Sequence, residues 1–294
     1  MTFSIVAAEV QLLGGAAASH SAGVGSRVLW ARPGTGVVAT QAITRAEYGV
    51  EVLDLLAQGE GVENALRQRT DQDPHAVARQ VAVIDPAGRY AQHSGALCMA
   101  AVELSSGDSV CAQGNMLLRS GVTVAMVAAY DASRGKIASR LLAALRAGQD
   151  AGGDLRGTRS ASLVVVDGSR TVVDLRVDDH PDPVEELERL YCETTLQRNI
   201  ALSQQALLGM IPGGDHLSDA LMTQSSTSRE READRWMWLG LLHAANGQPV
   251  MAIEAIRNAA SLRESVPLAL DRLVQQGRLD DATVQTVKQG LAER

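Results

Sequence analysis

Two four-residue turns do most to limit what this chain can fold into. Asp85-Pro86-Ala87-Gly88 separates the runs Gln80–Ile84 and Arg89–Gly95, with Pro second and Gly fourth as a type I turn favours. Asp167-Gly168-Ser169-Arg170 stands in the same way between Ala161–Val166 and Thr171–Val177. Connections this short join antiparallel neighbours, because a parallel pair needs a crossover of about a dozen residues or more. Helical patterns lie between the hairpins in pairs. Tyr48–Gln58 and Val62–Arg69 are split by Gly59-Glu60-Gly61. Val122–Tyr130 and Lys136–Gln149 follow, with Ile137, Leu141, Leu142 and Leu145 on one helix face. Further short strands are expected at Thr2–Val6, Val28–Trp30, Gly36–Ile43 and Ser109–Gly114. Hairpins alternating with helix pairs predict an α+β domain of antiparallel sheets covered by helices.

Asp182-Pro183 then supplies a helix cap and a first-turn proline, with Glu185 and Glu186 behind them, so a long helix should run to about Leu208. Ile211-Pro212-Gly213-Gly214 breaks the pattern, and from about Ser228 every segment reads as helix. Trp236, Leu239, Gly240, Gly247, Ala252, Ile256 and Ala259 follow the spacing of one tetratricopeptide-type helical pair. Three regions are therefore expected: a layered domain over 1–208, a linker over 209–227, and a small all-α unit over 228–294. Trp236 and Trp238 read as anchors of helix packing.

Net charge is −7, and no Lys/Arg run exceeds a pair, which argues against a nucleic-acid partner. Cys98, Cys111 and Cys192 are far apart and form no CxxC, so neither a disulfide framework nor a zinc site is indicated. No apolar stretch approaches the ~18 residues that cross a bilayer, and the first one is broken at Glu9 without a basic segment before it. A cytoplasmic protein without a membrane partner is expected.

Thr2 opens the first strand. A Met before a small residue is normally removed, which would leave an α-amine and a hydroxyl on one residue, the pairing in which an N-terminal Thr supplies both nucleophile and base. Thr is also simply a common second residue. Other polar candidates carry similar alternatives. His20, between Ser19 and Ser21, either lines a cleft or holds its own loop. His93, before Ser94-Gly95, is a site residue or a satisfied structural histidine. Asn115, after Gln113-Gly114, is a donor or a residue tolerant of left-handed backbone. Asp154 and Arg156 lie in a Gly-rich loop that either cradles an anion or pairs them to hold the turn. Asp178, Asp179 and His180 suggest a metal, but neighbouring strand residues point to opposite faces, so at most two converge. No metal is expected.

The start Met1-Thr2-Phe3-Ser4-Ile5-Val6-Ala7 resembles a bacterial family of largely uncharacterised proteins with the N-terminal-nucleophile (Ntn) hydrolase fold. So do Ala39-Thr40-Gln41-Ala42, His93-Ser94-Gly95 and Gln113-Gly114-Asn115-Met116-Leu117. The best matches are Ala151-Gly152-Gly153-Asp154-Leu155-Arg156-Gly157 and Val173-Asp174-Leu175-Arg176-Val177-Asp178-Asp179-His180-Pro181. The likeness spans roughly 1–195 in order. Ala8–Leu13 replaces a longer polar turn, Leu29 stands where a Pro often precedes the Trp, and Ser94 replaces a common Thr. The first 135 residues hold no Lys, so a Thr/Lys pair of the proteasome kind is not at hand.

The resemblance implies a four-layer αββα sandwich and an amidohydrolase acting on an amide or related C–N bond of a small molecule. Thr2 would be the nucleophile and its α-amine the base. Asn115, with Gln113, would serve the oxyanion, and His93, His20, Gln41, Arg156, Asp154 and Asp179 would line the site or orient substrate. No cofactor is expected. The partners expected are a small-molecule substrate, further copies in a homo-oligomer, and a protein met through the C-terminal helices. The rival expectation is a non-catalytic ligand-binding or scaffolding protein on the same fold.

Overall fold

A strand whose two faces are both covered must be made of residues small or apolar enough to fit. In the computed structural model, which describes residues 2–292, the central strands have that character. β1 (Thr2–Glu9) turns at Val10-Gln11 into β2 (Leu12–Ser19), where Gly14, Gly15 and three alanines follow the leucines. A Cβ on Gly14 would stand 2.6 Å from Leu141 Cδ1 on one side of the sheet. A Cβ on Gly15 would stand 3.1 Å from Val37 Cγ1 on the other. The glycines are there because helix and sheet both press on β2. Composition of this kind has little strand propensity, and for that reason β2 is absent from the sequence expectation.

β3 (Leu29–Arg32) and β4 (Gly36–Ala42) form the next hairpin, and α1 (Glu47–Ala57) and α2 (Val62–Gln72) follow. β5 (Arg79–Ile84) and β6 (Tyr90–Ser94) form the hairpin expected around Pro86. β7 (Glu103–Gly107), a second strand not foreseen, pairs with β8 (Val110–Asn115). α3 (Val122–Ala132) and α4 (Ile137–Asp150) precede β9 (Ser160–Val166) and β10 (Thr171–Val177). One sheet runs β10-β9-β2-β1-β8-β7 and the other β3-β4-β5-β6, and every ladder among them is antiparallel. The molecule is a mixed α+β protein, as the hairpins required.

Side-chain parity sorts the core. Val6, Ala8, Leu13, Ala17 and Cys111 of the larger sheet form one buried cluster with Leu29, Val37, Ala39, Ala82 and Ile84 of the smaller. Val38, Val81 and Val83 point the other way, into Tyr48, Val52, Leu53, Ala65 and Leu66 of α1 and α2. α3 and α4 pack on the larger sheet, where a Cβ on Gly148 would meet Met126 and Phe3. Beneath α1, burial and the Asp73 carboxylate push the Tyr48 phenol up to about 12.

α5 (Pro183–Leu207) starts on the cap foreseen, with the Glu185 amide donating to Asp182 Oδ1 at 3.1 Å. Contact density divides the chain at Glu188/Arg189. The second unit holds the rest of α5 with α6 (Asp215–Met222), α7 (Arg229–Ala245), α8 (Pro249–Leu262), α9 (Val266–Gln275) and α10 (Asp281–Ala292). The stretch 209–227, read from sequence as linker, carries α6, and Leu217 and Leu221 of that helix are buried with Leu196 and Ile200. α7 and α8 pack closely at Gly240, where a Cβ would lie 2.8 Å from Ile256 Cγ1. Trp236 and Trp238 flank the core of this unit. No helix among the described residues is long and apolar enough to cross a membrane.

Candidate active site

The interior between the sheets changes character along its length. Alternation that sends Val6 and Ala8 inward sends Thr2 and Ser4 inward as well. The same parity places Ser19 with Leu13 and Ala17, Gln41 with Val37 and Ala39, Gln80 with Ala82 and Ile84, and Gln113 and Asn115 with Cys111. All seven polar side chains are buried, Thr2 at 6% exposure and the rest at 2% or less. They sit where Thr2 pairs with Asn115, Gln80 with Ser94 and Ser19 with Ser160, so the interior is polar at that end of the strands.

Buried polar groups cost free energy unless partnered, and these are joined in a directed network. Thr2 Oγ1 donates to Ser19 Oγ at 3.2 Å. Ser4 Oγ donates to Gln41 Oε1 at 2.7 Å. Gln41 Nε2 donates to the Thr2 carbonyl at 3.0 Å and to Gln80 Oε1 at 2.7 Å. Asn115 Nδ2 donates to the same Gln80 oxygen at 3.0 Å. Gln80 Nε2 in turn donates to the Gly114 carbonyl at 3.0 Å and to Ser94 Oγ at 3.2 Å. Gln113 Nε2 donates to the Ala39 carbonyl at 2.9 Å and to Ser4 Oγ at 3.4 Å, while its Oε1 is buried without a partner among the described residues.

The backbone beside the network is unusual. Ala42, directly after Gln41, has φ 71°, and Met116, directly after Asn115, has φ 47°. Ala101, whose carbonyl accepts from the Leu117 amide, has φ 57°. Left-handed backbone costs a non-glycine residue roughly 1–2 kcal/mol, and such positions cluster at functional sites.

At the rim, the Asp154 side chain has no exposed surface. It accepts from the His20 amide at 2.9 Å, from the Arg156 amide at 2.9 Å and from Arg156 Nε at 3.5 Å. His20 Nδ1 lies 3.2 Å from the Gly157 carbonyl. The structure thus gathers His20, Asp154 and Arg156 next to Ser19, the acceptor of the Thr2 hydroxyl. His93 is not gathered there. It pairs with Val81, whose side chain faces α1 and α2, and its Nε2 is 2.9 Å from the Ala76 carbonyl. Parity turns its ring away from Thr2. Asp179 is spent on an exposed pair with Arg159 at 2.7 Å. Among the described residues no three His, Cys, Asp or Glu side chains gather as a metal would need. Burial pushes the Cys111 thiol up, so a thiolate is not on offer in the interior.

Gln80 and Ser4 went unnoticed in the sequence, although each is a polar residue at an inward position of an otherwise apolar strand. Gln80 faces inward with Ala82 and Ile84, and Ser4 with Val6 and Ala8.

No curated protein matches this chain. The crystal structure of protein SPO2555 from Silicibacter pomeroyi, of family DUF1028, is 38% identical, with a TM-score of 0.63 over 66% of this chain and 86% of that one. Anbu (ancestral beta-subunit) from Yersinia bercovieri aligns at 11% identity and a TM-score of 0.35, over 66% of this chain and 95% of its own. Residues 2–187 match DUF1028, described as a family of unknown function, and with the SPO2555 likeness this makes the chain a member of the DUF1028 family.

Proposed function

We propose that this protein is an Ntn-type amidohydrolase on a four-layer αββα sandwich, with Thr2 as nucleophile once removal of the preceding Met1 frees its amine. One observation carries the reading: Thr2, at the start of β1, turns its hydroxyl into a buried polar network where Ser19 Oγ receives it. A free α-amine titrates near ~8 and is a competent base at neutral pH. Thr2 Oγ1 attacks the amide carbonyl carbon as its proton passes to the α-amine. The tetrahedral oxyanion collapses, the C–N bond breaks, and the departing nitrogen takes that proton. Water, deprotonated by the same amine, then hydrolyses the threonyl ester and restores the hydroxyl. The net change is amide plus water to acid plus amine.

Asn115 is the side-chain donor favoured for the oxyanion. An amide nitrogen has two N–H groups, and one of them goes to Gln80 Oε1. Gln113 spends both of its own inside the protein, on Ala39 and Ser4, so its role is to hold β1 against β4. His20, Asp154 and Arg156 border the entrance.

The test joins mass and turnover. Intact-mass measurement on purified protein should show loss of Met1. Against a small amide library, Thr2→Ala should abolish turnover while the melting temperature holds, and Thr2→Ser should keep part of it because hydroxyl and amine are both retained. Retained Met1, or an active Thr2→Ala variant, removes the mechanism. The Thr2 hydroxyl gives its proton to Ser19 Oγ rather than to a base, and that observation favours a second reading, a ligand-binding protein on the same fold. Tight binding of an amide with no Thr2-dependent turnover would select it.

A further inference from the structure

The two ends of the sandwich are built differently. At the end away from Thr2 the strands are joined by tight turns: Val10-Gln11, Pro33–Thr35, Asp85–Arg89, Asp108-Ser109 and Asp167–Arg170. Among exposed large apolar residues, those turns hold Val10. The connections at the Thr2 end are longer, and they carry Ile43, Val77, Leu97, Met99, Leu118 and Leu155, each between 48% and 70% exposed. Backbone bonds stitch these segments side by side. The Ile43 amide donates to the Ala78 carbonyl at 3.2 Å and the Leu97 amide to the Val77 carbonyl at 2.7 Å. The Met116 amide donates to the Met99 carbonyl at 3.4 Å, the Leu155 amide to the Met116 carbonyl at 3.1 Å, and the Leu118 amide to the Gly153 carbonyl at 3.1 Å. Six exposed apolar side chains therefore ride on one continuous rim of loops.

Exposed apolar residues scattered singly need no explanation, but a contiguous set around a polar centre marks a binding surface. The occupant follows from continuity. Ile43 lies two residues beyond Gln41, Leu118 three beyond Asn115, and Leu155 adjoins Asp154. These side chains therefore lie on the loops that directly follow or precede the strand ends carrying the buried polar network. Two cations stand among them. Arg119 adjoins Leu118 and lies against Gly152, where a Cβ would be 3.0 Å from its Cγ. Arg156 adjoins Leu155, with 40% of its side chain exposed.

We propose that the Thr2 site takes amides bearing a large apolar group, an acyl chain or an aliphatic ring of at least about four carbons, and that this group rests on the collar of Ile43, Val77, Leu97, Met99, Leu118 and Leu155. The inference rests on the hydrolase reading for turnover and stands apart from it for binding.

N-acylglycines from acetyl to decanoyl are suitable probes, since Arg119 and Arg156 accommodate the carboxylate. Calorimetric titration into full-length Thr2→Ala protein should show binding that tightens about two- to fourfold per added methylene until the collar is covered. Glycine release by the unsubstituted protein should rise with chain length in kcat/KM. The variant Leu97→Ser/Met99→Ser/Leu155→Ser, altered only at exposed positions, should lose the slope. If it folds poorly by circular dichroism, Leu97→Ser alone should flatten the slope in part. Chain-length-dependent binding without glycine release keeps the collar and sinks the hydrolase. Thr2-dependent release that is equal for acetyl and decanoyl keeps the hydrolase and sinks the collar. Absence of binding by every member overturns the proposal. So does an intact slope in the triple variant accompanied by a changed mass in light scattering, or by lost pelleting with phosphatidylcholine vesicles, because the collar would then be a self-association or membrane face.

Discussion

The Nε2 amide of Gln41 donates to the carbonyl oxygen of Thr2 at 3.0 Å, from the smaller sheet to the larger. It is one of three bonds on that side chain, the others joining Ser4 and Gln80. Gln41→Leu keeps the volume, removes all three bonds and leaves the buried Ser4 hydroxyl without its acceptor, while Gln80 Oε1 keeps Asn115. A stability loss of about 3 kcal/mol is expected in urea denaturation. A loss below about 0.5 kcal/mol would mean that the sheets are held at this end by apolar contact alone.

Asn115 separates chemistry from structure. If its spare N–H serves an oxyanion, Asn115→Ala lowers kcat about 10²–10³-fold. Loss of its bond to Gln80 Oε1 costs only about 1 kcal/mol in the same variant. A protein destabilised to that degree but turning over normally per folded molecule would assign Asn115 to the scaffold.

His93→Ala is expected to leave turnover unchanged and to cost about 1 kcal/mol, because its ring reaches the Ala76 carbonyl on the far side of β6. A tenfold or larger fall in kcat at unchanged melting temperature would return it to the site.

Asp154 has a measurable signature at the rim. Its carboxylate, without exposed surface, takes two backbone amides and Arg156 Nε. Asp154→Ala should cost about 3 kcal/mol at pH 7, and Asp154→Asn less, since one oxygen can still accept. Equal costs would show that charge, rather than acceptor count, holds the loop.

Acid should erase the contribution of Asp73. Burial pushes its carboxyl up, but Arg79, the His75 amide and the Tyr48 hydroxyl outweigh burial, and its pKa is lowered. A lowered carboxyl stabilises the fold fully above the ordinary aspartate range and loses that effect as pH falls through the lowered value. The stability gap between the unsubstituted protein and Asp73→Asn should therefore be largest near neutrality and shrink on acidification. A gap that widens in acid would reverse the assignment.

Much of the architecture was legible because it was local. Pro86 and Gly88 fix one hairpin, Gly168 another, and Asp182-Pro183 the start of α5, and each feature lies within a few residues of what it determines. β2 was illegible because Gly14 and Gly15 answer to Leu141 and Val37, which are remote in sequence. The 209–227 stretch misled for the same reason: Pro212-Gly213-Gly214 does interrupt the helices, but Leu217 and Leu221 find partners beyond it. At the site, sequence drew out Thr2, Gln41, Gln113 and Asn115 but not Ser4 or Gln80. Which face a strand residue takes is settled by pairing, and pairing with Val81 turns His93 outward.

The side chains gathered around Thr2, namely Ser4, Ser19, Gln41, Gln80, Gln113 and Asn115, are hydroxyls and carboxamides without exception. Wiring of this kind has direction but no charge. It binds no proton and releases none across the range in which proteins live, and it draws in no counterion. A reaction run at its centre would meet charge only at the rim, where Asp154 and Arg156 stand beside His20, and a pH–rate curve would carry the imprint of the amine on Thr2 and of that rim rather than of the network.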